Sequence, residues 1–168
     1  MADTVIVHPN RDKVESKATK GVVTLLLVVS AALILIVVLG GLDKLQGMIV
    51  VAIVWALLYL FMAYLVANWN RGILPVAAGM AILLTVIAAV AAPAWFSRDK
   101  GGFEETTLPA SILGLLTLIL VPVSVALVGF AMRAFQQKWN VEVEVPREDA
   151  DRYRRGDTDF EPREPSPV

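Results

Sequence analysis

Four long apolar segments dominate the pattern of hydrophobic and polar positions along the chain. Short polar stretches separate them, and every Asp, Glu, Lys and Arg residue lies outside them. Each segment is longer than the roughly 20 residues that a helix needs to cross the hydrocarbon core of a bilayer. None shows the alternation of a barrel strand, so a helix is the structure that satisfies every backbone N–H and C=O group within one segment. The charge-free segments are 21–42, 45–70, 72–97 and 106–132.

This pattern predicts an all-α integral membrane protein, folded as an antiparallel bundle of four transmembrane helices. The chain is 57% hydrophobic, whereas an ordinary soluble domain is about 45–50% apolar. Short connections make consecutive helices antiparallel neighbours. Residues 1–20 and 140–168 are expected to form polar tails. We place the four spans near 21–42, 46–69, 73–96 and 108–133.

The distribution of positive charge predicts the orientation of these spans. Lys and Arg residues accumulate on the cytoplasmic side of membrane proteins, and Trp residues collect at both interfaces. Both termini are therefore expected in the cytoplasm, in a multi-pass protein of the inner (plasma) membrane. Trp69, Phe135 and Trp139 are expected as interface anchors on that side. The Lys and Arg residues near the span ends on the predicted inner side are Arg11, Lys13, Lys17, Lys20, Arg71, Arg133 and Lys138.

Small residues recur along one face of the third span. Ala77, Ala81, Thr85, Ala88 and Ala92 follow one another at steps of four, four, three and four, which places them on one side of a helix. Small side chains let transmembrane helices approach closely. We interpret this face as a helix-packing seam. Packing inside the bundle is the favoured interpretation, and packing against another subunit is the alternative.

Trp55 and Tyr59 are the polar-tipped aromatic residues near the middle of the second span, four positions apart. Their N–H and O–H groups need partners at that depth. They are interpreted as hydrogen-bonded residues of the bundle core, or as part of a groove for an apolar ligand such as a quinone or a lipid. The candidate partners on other spans are Ser30, Thr85, Thr117 and Ser124.

The sequence offers no candidate catalytic, cofactor-binding or metal-binding residues. It contains no cysteine, its one histidine (His8) lies outside the apolar segments, and no charged residue falls inside a span, since Arg133 is the end of the fourth. Ionisable residues inside the membrane are the usual mark of proton and ion pathways. The net charge of −1 does not favour nucleic acid as a partner. We therefore expect neither a metal, nor a cofactor, nor an activity of the chain's own.

Two short segments on the predicted cytoplasmic side are typical of β-strands. The stretch "VEVEV" at 141–145 alternates strictly, and Thr4–Pro9 also contains a strand-like run. The two are expected to pair as a ribbon. Because two strands alone are marginal in water, the ribbon should lean on the membrane surface or extend a partner's sheet. The valines available for such a partner contact are Val141, Val143 and Val145.

Two functions of different class are compatible with these features. The first is a non-catalytic accessory or scaffolding subunit of a larger membrane complex, of respiratory or transport type, with membrane lipids and other membrane subunits as partners. The alternative is a small transporter or apolar-ligand-binding protein that acts alone or as a homo-oligomer. The alternative depends on Trp55 and Tyr59.

Overall fold

The fold consists mostly of helices, and four of them are long and apolar enough to cross a membrane. A computed structural model describes residues 4–45, 47–100, 106–147 and 150, and the predicted tail beyond residue 150 lies outside the described residues. The elements in chain order are strand β1 (Thr4–Val7), helices α1 (Pro9–Asp12), α2 (Val14–Gly40), α3 (Leu42–Leu45) and α4 (Met48–Ala67), a 3-10 turn (Arg71–Ile73), helices α5 (Leu74–Ser97) and α6 (Ala110–Gln136), and strand β2 (Val143–Pro146).

The prediction of four long apolar helices is confirmed by α2, α4, α5 and α6. The first helix differs most from its predicted bounds, because α2 begins at Val14, within the expected tail. Two polar residues in its added turns, Ser16 and Thr19, are only 2% and 6% exposed, and Thr19 Oγ1 accepts a hydrogen bond from Gln137 Nε2. Tertiary packing therefore extends the helix beyond the apolar run that defined it in the sequence.

The four long helices pack unequally against one another. The most extensive contact joins α5 to α6, and α2 packs against both α4 and α6, whereas α4 and α5 scarcely touch. The small-residue face of α5 supports this packing: Ala77, Ala81, Ala88 and Ala92 are buried and Thr85 is half-buried. The seam therefore lies within the packed helices of this chain, and one side of the helix group, between α4 and α5, stays open.

An unusual turn ends α4. The N–H of Trp69 donates to the carbonyl of Val66 at 2.9 Å, and the N–H of Asn70 donates to the carbonyl of Leu65 at 3.0 Å. This pair of bonds is the Schellman motif, in which the residue with positive φ is usually glycine. Here that residue is Trp69, with φ of 63°. Since the left-handed conformation costs a residue with a Cβ about 1–2 kcal/mol, contacts of the indole ring must offset the strain.

Those contacts form a cluster that joins the ends of three helices. The Trp69 ring meets the ring of Trp139 edge-on, with centroids 5.2 Å apart. Lys20 of α2 lies over the Trp69 ring, 4.1 Å from its centroid, and its Nζ donates to the carbonyl of Ala67 at 3.2 Å. Trp139 was expected as an interface anchor, but it is fully buried. We call Lys20, Trp69 and Trp139 the aromatic cluster.

Side-chain hydrogen bonds extend from the aromatic cluster into α2 and α6. Trp139 Nε1 donates to Gln137 Oε1 at 3.0 Å, and Gln137 Nε2 donates to Thr19 Oγ1, also at 3.0 Å. At the start of α5, Arg71 Nε donates to the carbonyl of Phe135 at 2.7 Å, and its guanidinium lies 4.1 Å from the Phe135 ring centroid. The α4–α5 turn and the ends of α2 and α6 thus form one connected unit.

The predicted ribbon is confirmed, because β1 and β2 pair in antiparallel register. Their partners are Thr4 with Pro146, Val5 with Val145, Ile6 with Glu144 and Val7 with Val143.

The three valines that were expected to contact a partner differ in burial. Val145 is 1% exposed and is buried with Val7 and Ala150, and Val143 packs against this small cluster. Val141 precedes the strand and is 39% exposed. A cluster within the chain thus uses the side chains of Val143 and Val145, which leaves Val141 as the exposed member of the set.

Because φ is positive at Trp69, glycine should be more stable than alanine at this position, the reverse of their order in a helix interior. Trp69→Ala and Trp69→Gly both remove the ring contacts, but glycine adopts positive φ freely, so Trp69→Gly should be the more stable variant by about 1 kcal/mol. The control pair is Tyr64→Ala and Tyr64→Gly, at an exposed position within α4. There the alanine variant should be the more stable by about 1 kcal/mol, because alanine is favoured over glycine in a helix interior. Unfolding in detergent measures both pairs. Equal or greater stability of Trp69→Ala would contradict the left-handed turn.

Candidate functional site

The open side between α4 and α5 contains an apolar cleft of about 260 Å³. All four long helices contribute to its walls, which are almost entirely apolar, and it lies toward the end of the helix group where α4 begins and α5 ends. Ligand pockets in proteins usually have about 300–1,000 Å³, so this cleft is near the lower end of that size. We call it the lateral cleft; residues in its wall include Ile34, Val51, Trp55, Ile87, Trp95 and Leu120.

Trp55 and Tyr59, the residues predicted for this site, occupy different positions around it. Trp55 is half-buried in the cleft wall, whereas Tyr59 lies one turn further along α4 and is completely buried in the helix core. Within the part of the chain that the structure describes, neither Trp55 Nε1 nor Tyr59 Oη has a hydrogen-bond partner. A buried donor without a partner costs about 1–3 kcal/mol. Both atoms are buried, so this cost lies within the helix packing and not at the surface of the cleft.

Among the described residues, none of the four candidate partners on neighbouring helices hydrogen-bonds to Trp55 or Tyr59. Thr85 Oγ1 donates to the carbonyl of Ala81 at 2.8 Å, and Thr117 Oγ1 donates to the carbonyl of Leu113 at 2.7 Å. Hydroxyl groups in helices commonly bond in this way to a carbonyl of their own preceding turn. The other two expected partners, Ser30 and Ser124, have buried hydroxyls with no partner among the described residues.

A second concavity, of about 340 Å³, lies at the opposite end of the helix group, beside the start of α2. Arg11 is oriented there by a hydrogen bond from its Nε to the carbonyl of Trp139 at 3.0 Å. Two acidic residues lie nearby: Asp12 Oδ1 is 3.9 Å from Lys17 Nζ, and Glu142 Oε1 is 3.4 Å from His8 Nε2. We call this concavity the basic pocket; its lining residues are Ile6, Val7, His8, Arg11, Asp12, Lys17 and Trp69.

Sequence reasoning missed the basic pocket because its lining combines residues of one N-terminal segment, 6–17, with the distant Trp69. Strand β1 brings Ile6 and Val7, α2 brings Lys17, and the left-handed turn after α4 brings Trp69. The basic residues before the first apolar run were a signal for a charged end, but only the ribbon pairing and the turn at Trp69 place them around one concavity.

Neither concavity carries a recognisable set of metal ligands. Among the described residues, no three His, Asp or Glu side chains lie close enough together to hold a metal ion. The apolar walls of the lateral cleft suit an apolar surface, and the Arg11 and Lys17 side chains of the basic pocket suit an anion.

Comparison of the chain with known protein families, with curated proteins and with solved structures finds no match.

Proposed function

We propose that this protein is a non-catalytic accessory or scaffolding subunit of a larger complex in the inner (plasma) membrane. In this proposal α2, α4, α5 and α6 cross the bilayer as an antiparallel bundle, and both termini lie in the cytoplasm. The observation that carries the proposal is the open side between α4 and α5, where two helices of the group scarcely contact each other. A transmembrane helix of a partner subunit would complete the packing there.

The composition of the open side supports a helix as the partner. Small residues from both bordering helices, Ala52 of α4 and Ala88 and Ala91 of α5, lie in the wall of the lateral cleft. Small side chains permit the close backbone approach by which transmembrane helices associate, since lipid is as apolar as a leucine side chain. Larger apolar residues at its margin, Val51 and Ile87, are 48% and 46% exposed and would contact the partner's flanks.

The charges at the two ends of the helices support the proposed orientation. Lys20, Arg71 and Arg133 lie near the helix ends that also carry the ribbon and the aromatic cluster. Lys44 and Arg98 lie at the opposite end. The majority of these basic residues is thus at the end that carries the ribbon, and the positive-inside rule assigns that end to the cytoplasm.

The absence of cysteine from the sequence allows a direct test of this topology with single-cysteine variants. Asp43→Cys and Asp99→Cys should react with a membrane-impermeant maleimide in intact cells. Lys13→Cys and Asn140→Cys should react only after permeabilisation, because the reagent does not cross the bilayer. The cysteine-free parent chain controls for background labelling. Labelling of Lys13→Cys in intact cells would contradict cytoplasmic termini.

The partner helix is tested by placing a photo-crosslinking amino acid on the open side. Introduced at Ile87, in the cleft wall on α5, it should yield a covalent product with a second protein in native membranes. Introduced at Val125, which is 57% exposed on α6 and outside the cleft wall, it should react with lipid. Mass spectrometry of the products distinguishes the two. Products at Ile87 that contain only lipid would contradict the accessory-subunit proposal.

The second candidate function is binding of an apolar small molecule or lipid chain in the lateral cleft, by the chain alone or as a homo-oligomer. The apolar walls of the lateral cleft, which include the half-buried Trp55 ring, favour this candidate. The apolar body of a quinone or a lipid chain would fill this space against that ring. In this case the occupant of the open side is a small molecule rather than a helix.

Substitutions at Trp55 test this second candidate. Trp55→Phe removes the indole N–H and keeps an aromatic ring, whereas Trp55→Ala also enlarges the cleft. If a ligand occupies the cleft, the amount that co-purifies should fall about tenfold in Trp55→Ala, because the lost apolar contact with the ring corresponds to about 1.4 kcal/mol or more, and Trp55→Phe should retain most of the ligand. The control is Phe61→Ala, at an exposed α4 position outside the cleft wall. Organic extraction with mass spectrometry measures the ligand, and unchanged content in both Trp55 variants would exclude this function.

A further inference from the structure

We propose that the basic pocket binds the phosphate of an anionic lipid headgroup at the membrane surface. The inference rests on the membrane insertion and orientation proposed above, and it concerns the opposite end of the helix group from the lateral cleft. Its basis is the combination of basic side chains, an apolar floor and an anchored backbone in one concavity.

The pocket lies at the level expected for lipid headgroups. Its floor includes Trp69, which follows the last turn of α4, and Lys20, over the Trp69 ring, is the last charge before the apolar run of α2. Tryptophan side chains collect at this boundary because their rings are apolar with one polar edge. The concavity therefore opens where the hydrocarbon core gives way to the polar layer of the bilayer.

The lining combines groups that match two parts of a phospholipid. Arg11 and Lys17 supply positive charge, and the Arg guanidinium presents a planar fork of donors that fits phosphate oxygens bidentately. Ile6, Val7 and Trp69 supply an apolar surface beside these charges. A free phosphate ion would use only the first set, whereas the glycerol backbone and upper acyl chain of a lipid would contact the second.

The arginine is held in position before any ligand binds. Its Nε donates to the carbonyl of Trp139, a residue with 0% exposure, so that the guanidinium is attached to a rigid part of the structure. The neighbouring Asn10 donates from Nδ2 to the carbonyl of Lys138 at 3.1 Å, which ties the same segment to the same turn. Since Nε uses one of the five donors of the guanidinium, its terminal NH₂ groups remain to face an anion.

The nearby acidic groups do not neutralise this site. Asp12 and Lys17 lie 3.9 Å apart and their side chains are 55% and 58% exposed, so their attraction is weak and Lys17 is free to turn toward an anion. Glu142 is placed against His8 instead. Among the lining residues Arg11, Lys17 and Asp12, positive charge thus exceeds negative charge by one, and cytoplasmic leaflets rich in anionic lipids are the membrane surfaces that such charge attracts.

The test is native mass spectrometry of the purified full-length chain with mixed phosphatidylglycerol and phosphatidylcholine. The wild type should retain phosphatidylglycerol in preference. Arg11→Gln combined with Lys17→Gln should weaken that retention at least about tenfold, since each charge-assisted hydrogen bond lost corresponds to that factor or more. The control, Arg133→Gln combined with Lys138→Gln, removes two exposed charges from the same end but outside the pocket, and should retain the lipid.

Three results would overturn the proposal: no preference for phosphatidylglycerol in the wild type, equal loss in the control, or displacement of the lipid by millimolar inorganic phosphate, which would assign the site to the free ion. Because Arg11 also bonds to the backbone of Trp139, Lys17→Gln alone serves as a second variant that leaves this bond intact, and its retention should also fall. The measurement needs no partner subunit, so its failure is distinguishable from failure of the accessory-subunit proposal, which the crosslinking at Ile87 tests separately.

Discussion

The contact of Lys20, Trp69 and Trp139 is the interaction on which the arrangement of the helix ends depends. Each of its members comes from a different part of the chain, before the first apolar run, after α4 and after α6. A cation beside an aromatic face and an edge-on ring pair are each individually modest. Their position matters more than their energy, because hydrophobic burial does not specify how helices align within a bilayer. Directional contacts at the ends supply that alignment.

The same contact explains why one end of the helix group is closed and the other is open. At the closed end, side-chain and backbone hydrogen bonds join α2, the α4–α5 turn and the segment after α6. Toward the opposite end α4 and α5 diverge, and the lateral cleft lies between them. An anchored end and a divergent end suit a subunit whose own structure is stable while one side remains available to another molecule.

The sequence predicted the parts of the fold that depend on local pattern. Charge-free segments predicted the four long helices, because a backbone in lipid has few alternatives, and the alternation around Val143 and Val5 predicted the ribbon. Features that depend on distant contacts were not predictable. The start of α2 at Val14 requires the burial of Thr19 against the end of α6, and the positive φ of Trp69 places an indole where glycine is usual.

The same distinction between local pattern and distant contacts applies to the candidate sites. Trp55 could be singled out, since a polar edge on an apolar span is visible in the sequence, but the direction in which Thr85 and Thr117 donate was not. A hydroxyl chooses between its own helix and a neighbour according to rotamer and distance, which composition does not encode. The basic pocket requires the N-terminal segment 6–17 to meet Trp69, and no periodicity along the chain indicates such a contact.

The ribbon has a consequence for the order of assembly. In the sequence, one strand precedes all four long helices and the other follows them. Asn10 and Lys138, which are hydrogen-bonded beside the ribbon, are 128 positions apart in the sequence. Closing so long a loop carries a large entropy loss that only prior packing of the intervening chain can reduce. During synthesis β2 emerges after α6. β1 can therefore pair with β2 only after all four long helices have been synthesised, so the ribbon joins the two ends of the helix group at a late stage of synthesis.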